Sequence, residues 1–321
     1  MKKISVITSC YNEEETIRDV YEKIKEIFVD LKNTYEYEHI FMDNCSTDKT
    51  LSILKDIAAN DKKIKILSYS KDFGPLKSAM VGYTYATGNA VINFEANLKD
   101  PPELINTFIK YWEEGFDVVY GIRKKTGDKF FMRFMRRFFY WFCNVLSREN
   151  LPLNVGGFSL IDRKVVNELI KLDDHKPYTR GLITSIGFQQ IGIEYVRGKR
   201  PKGKSKSDMD YLIDFAINAI ISYSIKPIRF CTFIGMGLAG LSFMTAIVYF
   251  ILKLFFWHAQ IPAVSALIMA VLFFAGIQLF FLGIIGEYVG AIHSQVRKKP
   301  YVVVREKINF DETEDNKGKE K

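Results

Sequence analysis

The chain has 321 residues, of which 48% are hydrophobic and 26% charged. This excludes a disordered chain and a bare membrane bundle, and allows one large domain or two smaller ones. Its 45 Lys and Arg against 37 Asp and Glu leave a net charge of +8, a balance that suits nucleic acid, anionic lipid or phosphorylated small molecules. The excess is local: residues 121–148 hold eight basic side chains and one acidic, and residues 196–206 hold six basic and none acidic.

In chain order, Met-Lys-Lys leads straight into a five-residue strand-like run, Ile4–Thr8, which does not read as a signal peptide. Further β-branched runs follow at His39–Asp43, Ile64–Tyr69, Ala90–Glu95 and Asp117–Arg123. Helix-like stretches lie between them at Glu14–Leu31, Asp48–Ala59, Pro75–Ala86 and Pro101–Glu114. Strand–helix alternation with short links predicts a doubly wound α/β domain with a parallel sheet. Ligands of such sheets bind beyond the carboxyl ends of the strands. That rule singles out Tyr11-Asn12-Glu13, Asp43-Asn44, Lys71-Asp72 and Glu95-Ala96-Asn97. Each alone reads as an ordinary turn; four at one sheet edge read as a nucleotide and metal crevice. Neither GxGxxG nor GxxxxGK[ST] is present, so no glycine cradle is expected to hold the nucleotide. The four cysteines, Cys10, Cys45, Cys143 and Cys231, form no CxxC pair, and the four histidines form no HExxH. Both facts argue against a zinc site or a disulfide framework.

Residues Lys129–Ser147 predict an amphipathic helix. Phe131, Phe134, Phe138, Trp141, Phe142 and Val145 share one face, and Lys129, Arg133, Arg136 and Arg137 the other. Aromatics opposite cations suit a helix lying in a membrane interface; the alternatives are a surface helix packed on the core and, with less support, a nucleic-acid contact. Phe230–Leu252 and Ala259–Gly286 carry no charge over 23 and 28 residues, and about 20 apolar residues span a bilayer core. Lys226 and Arg229 precede this pair, Arg297, Lys298 and Lys299 follow it, and the link carries only Lys253. A transmembrane hairpin with both ends cytoplasmic is therefore expected. The implied domains are 1–225, a cytoplasmic domain; 226–293, the hairpin; and 294–321, a cytoplasmic tail disordered after about residue 310.

With these residues in place, the chain resembles the family 2 glycosyltransferases, which have an A-type nucleotide-sugar (Rossmann-like) α/β fold. Within them it is similar to the membrane-anchored polyprenyl-phosphate glycosyltransferases, the type of dolichyl-phosphate mannose synthase and of the bacterial undecaprenyl-phosphate glucosyl- and aminoarabinosyltransferases. The likeness runs from about Ile4 to about Val304. Its markers are Tyr11-Asn12-Glu13-Glu14, Asp43 to Asp48, Asp72-Phe73-Gly74, Ala86-Thr87-Gly88, Leu98 to Glu103, Arg200 to Lys206, and Leu282 to Gly290.

The resemblance implies roles. Tyr11, Asn12, Glu13 and Asp43 fall where the donor base and ribose are held, with Lys71, Gly74 and Ala96 also on the donor side. Glu95-Ala96-Asn97 stands in the place of the Asp-x-Asp motif that binds Mg²⁺ or Mn²⁺ on the donor pyrophosphate. Asp100, Arg200 and Lys206 are the expected catalytic residues. Arg123, Arg133, Arg136, Arg137 and Ser205 lie where the lipid phosphate is expected. The expected reaction is inverting transfer of a sugar from a nucleotide-diphosphate sugar to a polyprenyl phosphate at the cytoplasmic face of the membrane. The implied partners are these two substrates and the bilayer, with no nucleic acid. Gly235, Gly237 and Gly240 would permit close helix contact in a homo-oligomer.

The sequence also departs from the pattern. One metal-binding carboxylate is the amide Asn97, and a motif Asp and Arg are Gly157 and Ser159. Ser9 replaces a Pro, and Pro75 a Lys. Hard cations prefer carboxylate oxygens, so metal affinity is expected to fall. The acceptor, by contrast, is a phosphate monoester with a second pKa of about 6, already anionic at neutral pH. It needs a general base less than a sugar hydroxyl does. Two other readings therefore stand beside the first: a catalytically divergent relative that binds donor or lipid or partners another transferase, and a transferase with a glycan acceptor. The absence of Gln-x-x-Arg-Trp and the presence of only two spans disfavour the last.

Overall fold

The computed structural model describes residues 1–124, 155–172, 182–183, 186–198, 226–255, 263–297 and 301–311. They fall into two compact units, an α/β sheet domain and a pair of long helices.

Among the described residues the sheet has eight strands: β1 (Lys2–Cys10), β2 (Tyr35–Asp43), β3 (Ile64–Tyr69), β4 (Ala90–Asn93), β5 (Val118–Lys124), β6 (Val155–Asp162), β7 (Gln190–Val196) and β8 (Val304–Ile308). Their order is β7-β5-β6-β4-β1-β2-β3-β8. The central strands β4, β1, β2 and β3 are parallel, as is the β5–β7 pair. β6 runs antiparallel to both β4 and β5, and β8 antiparallel to β3. The sheet is thus mixed, which corrects the all-parallel expectation. The reversing strands come from beyond the regular alternation. β6 has Gly156-Gly157 directly after its first residue, Val155, a weak strand signal by propensity, and β8 pairs with a strand more than two hundred residues away.

Among the described residues, five helices belong to the sheet domain: α1 (Ile17–Asp30), α2 (Thr50–Asn60), α3 (Pro75–Tyr85), α4 (Leu104–Glu113) and α5 (Arg163–Lys171). In α1 the buried Ile17, Val20, Ile24 and Phe28 form one stripe. Burying each such side chain contributes about 1.5–3 kcal/mol. A helix of this length is marginal alone in water, so docking of the stripe holds it. α3 starts where Gly74 takes φ +83°, a turn that suits glycine, and Pro75 presets the first helical φ. After α3 the chain turns at Gly88, where a Cβ would stand 2.7 Å from Ser5 N and 2.8 Å from Lys3 O. Only glycine lets this turn lie against β1, which gives Ala86-Thr87-Gly88 a physical reason.

Among the described residues the second unit comprises α6 (Lys226–Phe255) and α7 (Ala263–Val296). Windows Ile228–Thr245 and Phe273–His293 have mean hydropathy 1.4 and 1.6, enough by length and composition to cross a membrane. Phe230, Phe233, Phe243, Leu279 and Phe280 are exposed, a surface too apolar for water. α7 continues past the charge-free stretch that ends at Gly286, through Glu287 to Val296. Nothing in a helix requires it to stop where its apolar stretch does.

Candidate active site

Four loops at the carboxyl ends of β1 to β4 interlock. Asn12, which follows β1 at φ +52°, accepts from Thr47 N at 2.7 Å through Oδ1, and its own N–H donates to Ser46 Oγ at 2.9 Å. Glu13 N donates to Thr50 Oγ1 at 2.7 Å. The β1 and β2 loops are thereby tied together. Asp43 closes β2, is fully buried, and accepts from Ser46 N at 3.2 Å. Burial pushes its carboxyl above the usual range, opposed by the Ser46 hydrogen bonds and by the charge of Arg305 on β8. The β3 loop joins through Phe73 N, which donates to Asn44 Oδ1 at 3.4 Å. Lys71 is exposed, its ammonium 5.1 Å from the centre of the Phe73 ring.

Thr16 links this crevice to the β4 loop. It occupies the N-cap position of α1 but makes no side-chain cap. Its Oγ1 lies instead 2.9 Å from Ala96 O and 3.0 Å from Glu13 Oε2. Tyr11, Asn12, Glu13, Asp43, Gly74, Ala96, Glu95, Asn97 and Asp100 therefore gather along one sheet edge, with Lys71 at the rim.

Beyond the β4 loop lies a cluster of two carboxylates and two guanidiniums. Arg123 at the end of β5 donates from Nη2 to Glu95 Oε1 at 2.8 Å and to Asp100 Oδ2 at 3.4 Å. Arg197, just after β7, donates from Nη2 to Glu95 Oε2 at 2.6 Å and from Nε to Asp100 Oδ1 at 2.9 Å. The Tyr195 hydroxyl donates to Asp100 Oδ1 at 2.5 Å and accepts from Arg123 Nε at 3.2 Å. Burial pushes the Glu95 carboxyl up, but Arg123 and Arg197 outweigh it and hold the group below its usual range. Arg123 is pushed up by Glu95 and Asp100 against its own desolvation, and burial raises the Tyr195 phenol.

Small residues make room for the cluster. A Cβ on Gly156 would meet Arg123 Nη2 at 2.5 Å, so the guanidinium lies directly over β6. A Cβ on Gly121 would meet the Tyr195 ring at 2.6 Å. At Gly157 the nearest atoms would be Asn93 Nδ2 at 3.5 Å and Glu95 Oε1 at 3.8 Å. A side chain would fit there and would aim at Glu95.

The donor set does not suit the expected Mg²⁺ or Mn²⁺. Both Glu95 oxygens and both Asp100 oxygens accept from arginine. Asn97 Oδ1 accepts from Lys99 N at 3.0 Å, which fixes the amide so that Nδ2 donates to Glu95 Oε2 at 2.8 Å. The face that Asn97 turns to Glu95 carries N–H groups, not lone pairs. Among the described residues no group of three His, Cys, Asp or Glu is placed to hold a metal ion.

Arg133, Arg136, Arg137, Arg200, Ser205 and Lys206 lie outside the described residues, as does the predicted helix Lys129–Ser147. Tyr195 and Arg197 were not singled out from sequence, nor was Thr16. Arg197 had one signal, its place in the basic run 196–206, but nothing local marks it as a partner of a residue 102 positions earlier.

Residues 5–170 match the family model "Glycosyl transferase family 2". An uncharacterized glycosyltransferase, YkcC of Bacillus subtilis, is 34% identical over 96% of this chain and 94% of its own length. The SfII prophage-derived bactoprenol glucosyl transferase of Shigella flexneri is 33% identical over 94% of this chain and 97% of its own. Among solved structures, glucosyl-3-phosphoglycerate synthase from Mycobacterium tuberculosis, in complex with Mn²⁺, UDP-glucose and phosphoglyceric acid, is a distant likeness. Its TM-score is 0.45 at 20% identity, over 68% of this chain and 78% of that one. On the family match and the near full-length identities, the chain belongs to glycosyltransferase family 2 and is a glycosyltransferase.

Proposed function

We propose that this enzyme transfers a sugar, with inversion, from a nucleotide-diphosphate sugar to a polyprenyl phosphate at the cytoplasmic face of a membrane. The observation that carries the reading is near full-length similarity to proteins named bactoprenol glucosyl transferases. The interlocked loops at the sheet edge support it, as do two helices with apolar exposed surfaces.

In this reading the crevice of Tyr11, Asn12, Glu13 and Asp43 receives the nucleoside, and the diphosphate lies toward Glu95 and Asp100. The acceptor phosphate is anionic at neutral pH, so its oxygen attacks the anomeric carbon directly. The bond to the nucleoside diphosphate breaks as the new bond forms. The protein's task is positioning, together with balancing charge on the leaving group. Glu95 and Asn97 offer no cation site as they stand, so no step is assigned to a metal. Arg123, expected at the lipid phosphate, instead pairs with Glu95 and Asp100; Arg133, Arg136, Arg137, Arg200, Ser205 and Lys206 are the proposed contacts of the lipid phosphate. The hairpin is proposed to span the membrane with both ends cytoplasmic, on the basis of its flanking basic residues.

Mass spectrometry of the lipid fraction tests the reaction. Purified full-length protein is incubated with undecaprenyl phosphate and a panel of UDP-, GDP- and dTDP-sugars, in both EDTA and Mg²⁺. A sugar-phosphate-lipid is expected. Its absence across the panel, with a related enzyme active in the same assay, overturns the reading and favours the divergent, non-catalytic relative. Asn97, Gly157 and the arginine-held Glu95 are the observations that keep this second reading in view.

A further inference from the structure

We propose that this chain binds the nucleoside diphosphate without a divalent cation, the guanidiniums of Arg123 and Arg197 donating hydrogen bonds to its phosphate oxygens. The inference rests on the donor-binding reading above and adds to it what holds the diphosphate.

Three observations carry it. The first is charge. Glu95 and Asp100 are matched one for one by Arg123 and Arg197, so the cluster has no negative excess to attract a cation. A divalent ion at Glu95 would have to displace two guanidiniums or sit beside them. The second is ligand chemistry. The Asn97 amide is fixed by Lys99 N with its N–H groups toward Glu95, and position 157 carries no side chain. Neither can supply the second oxygen that a hard cation needs.

The third is donor capacity. Arg123 uses Nε and Nη2, and Arg197 uses Nε and Nη2, for the bonds described. The Nη1 group of each makes no hydrogen bond among the described residues, which leaves at least two N–H donors on each arginine. The side chains are not sealed off: Arg197 is 27% exposed, Glu95 31% and Arg123 20%. Planar guanidinium forks match phosphate oxygens in pairs, and fixed carboxylates behind them hold the forks in place. Glu95 and Asp100 are then positioning residues for two arginines rather than ligands of a metal. Gly156 belongs to the same device, since any larger residue would push the Arg123 guanidinium away.

The test is calorimetric binding of UDP, GDP and UMP to the full-length protein in detergent, in EDTA and in Mg²⁺, beside electron paramagnetic resonance of added Mn²⁺. The expected result is a nucleoside diphosphate affinity that changes less than threefold between EDTA and Mg²⁺, with no Mn²⁺ bound by the nucleotide-free protein. Arg197→Gln should weaken diphosphate binding at least tenfold and UMP binding less than threefold. Arg197→Lys, which keeps the charge, should fall between. A merely structural role would weaken both nucleotides alike, and that result overturns the proposal. So does a tenfold or greater loss of diphosphate affinity in EDTA, which leaves the donor reading intact. Failure of any nucleotide to bind in either buffer overturns the donor reading and this inference with it.

Discussion

The carboxylate of Glu38 offers a quantitative test of how the sheet domain is held together. Glu38 lies on β2 and is almost wholly buried. Its Oε2 is 2.9 Å from the ammonium groups of both Lys3 and Lys65, and its Oε1 accepts from Ser5 Oγ at 2.6 Å and Thr87 N at 2.8 Å. Burial alone would raise its pKa. The bonds from Ser5, Lys3, Thr87 and Lys65 win and hold it at about 2, against an ordinary 4.5. At about 1.4 kcal/mol for each pH unit, that difference is worth about 3 kcal/mol of folding stability. The sign follows from the depressed value: the contribution is complete above the ordinary carboxylate pKa and is lost as pH falls from about 4.5 to about 2. Glu38→Gln removes the charge and leaves Lys65, itself buried, without its counter-ion. A cost of about 3–5 kcal/mol at neutral pH is expected. Urea unfolding of wild type and variant, followed by fluorescence between neutral pH and the acid limit of the native state, measures both quantities. The gap between the two proteins should narrow steadily below about pH 4.5. A gap below about 1 kcal/mol at neutral pH, or one that stays constant on acidification, refutes the reasoning.

Further outcomes follow from the same geometry. Gly88→Ala places a methyl group against the backbone of β1 and should cost about 1–3 kcal/mol, read as a lowered Tm. Gly156→Ala should leave Tm nearly unchanged, because only a flexible guanidinium must move, yet reduce nucleoside diphosphate affinity by about tenfold in calorimetry. Thr16→Val unlinks Ala96 from Glu13 without removing a helix cap; helicity by circular dichroism should hold while nucleotide affinity falls by about threefold or more. Asn97→Asp combined with Gly157→Asp adds two carboxylates beside Glu95 in space that admits them, and should create Mn²⁺ binding visible by electron paramagnetic resonance.

Much of the molecule was legible before any coordinate. The order and type of β1 to β5 and α1 to α4 follow from residues that alternate at two periods within a dozen positions of each other. Ile64–Tyr69 reads as a strand and is one, residue for residue, because its whole length is buried and β-branched or aromatic residues recur in it. The loops after the first four strands were equally visible, since a sheet of this winding leaves only its carboxyl edge for a ligand. The two long apolar helices needed only length and composition.

What the sequence could not carry was pairing at a distance. β6 carries two glycines after Val155, which have little strand preference; the guanidinium of Arg123 lying over Gly156 explains the first of them. β8 is five residues in a basic stretch beyond α7, and its strand character depends on the open edge of β3. The largest gap concerns charge. The sequence places Glu95 and Asn97 in the position of a metal-binding pair, which is a statement about residue types in a row. Whether their oxygens face a cation or a guanidinium depends on β5 and β7 lying side by side and delivering Arg123 and Arg197 to the same carboxylate. Electrostatic partners are chosen by distance in space, and the chain order holds no record of that distance until the sheet has formed.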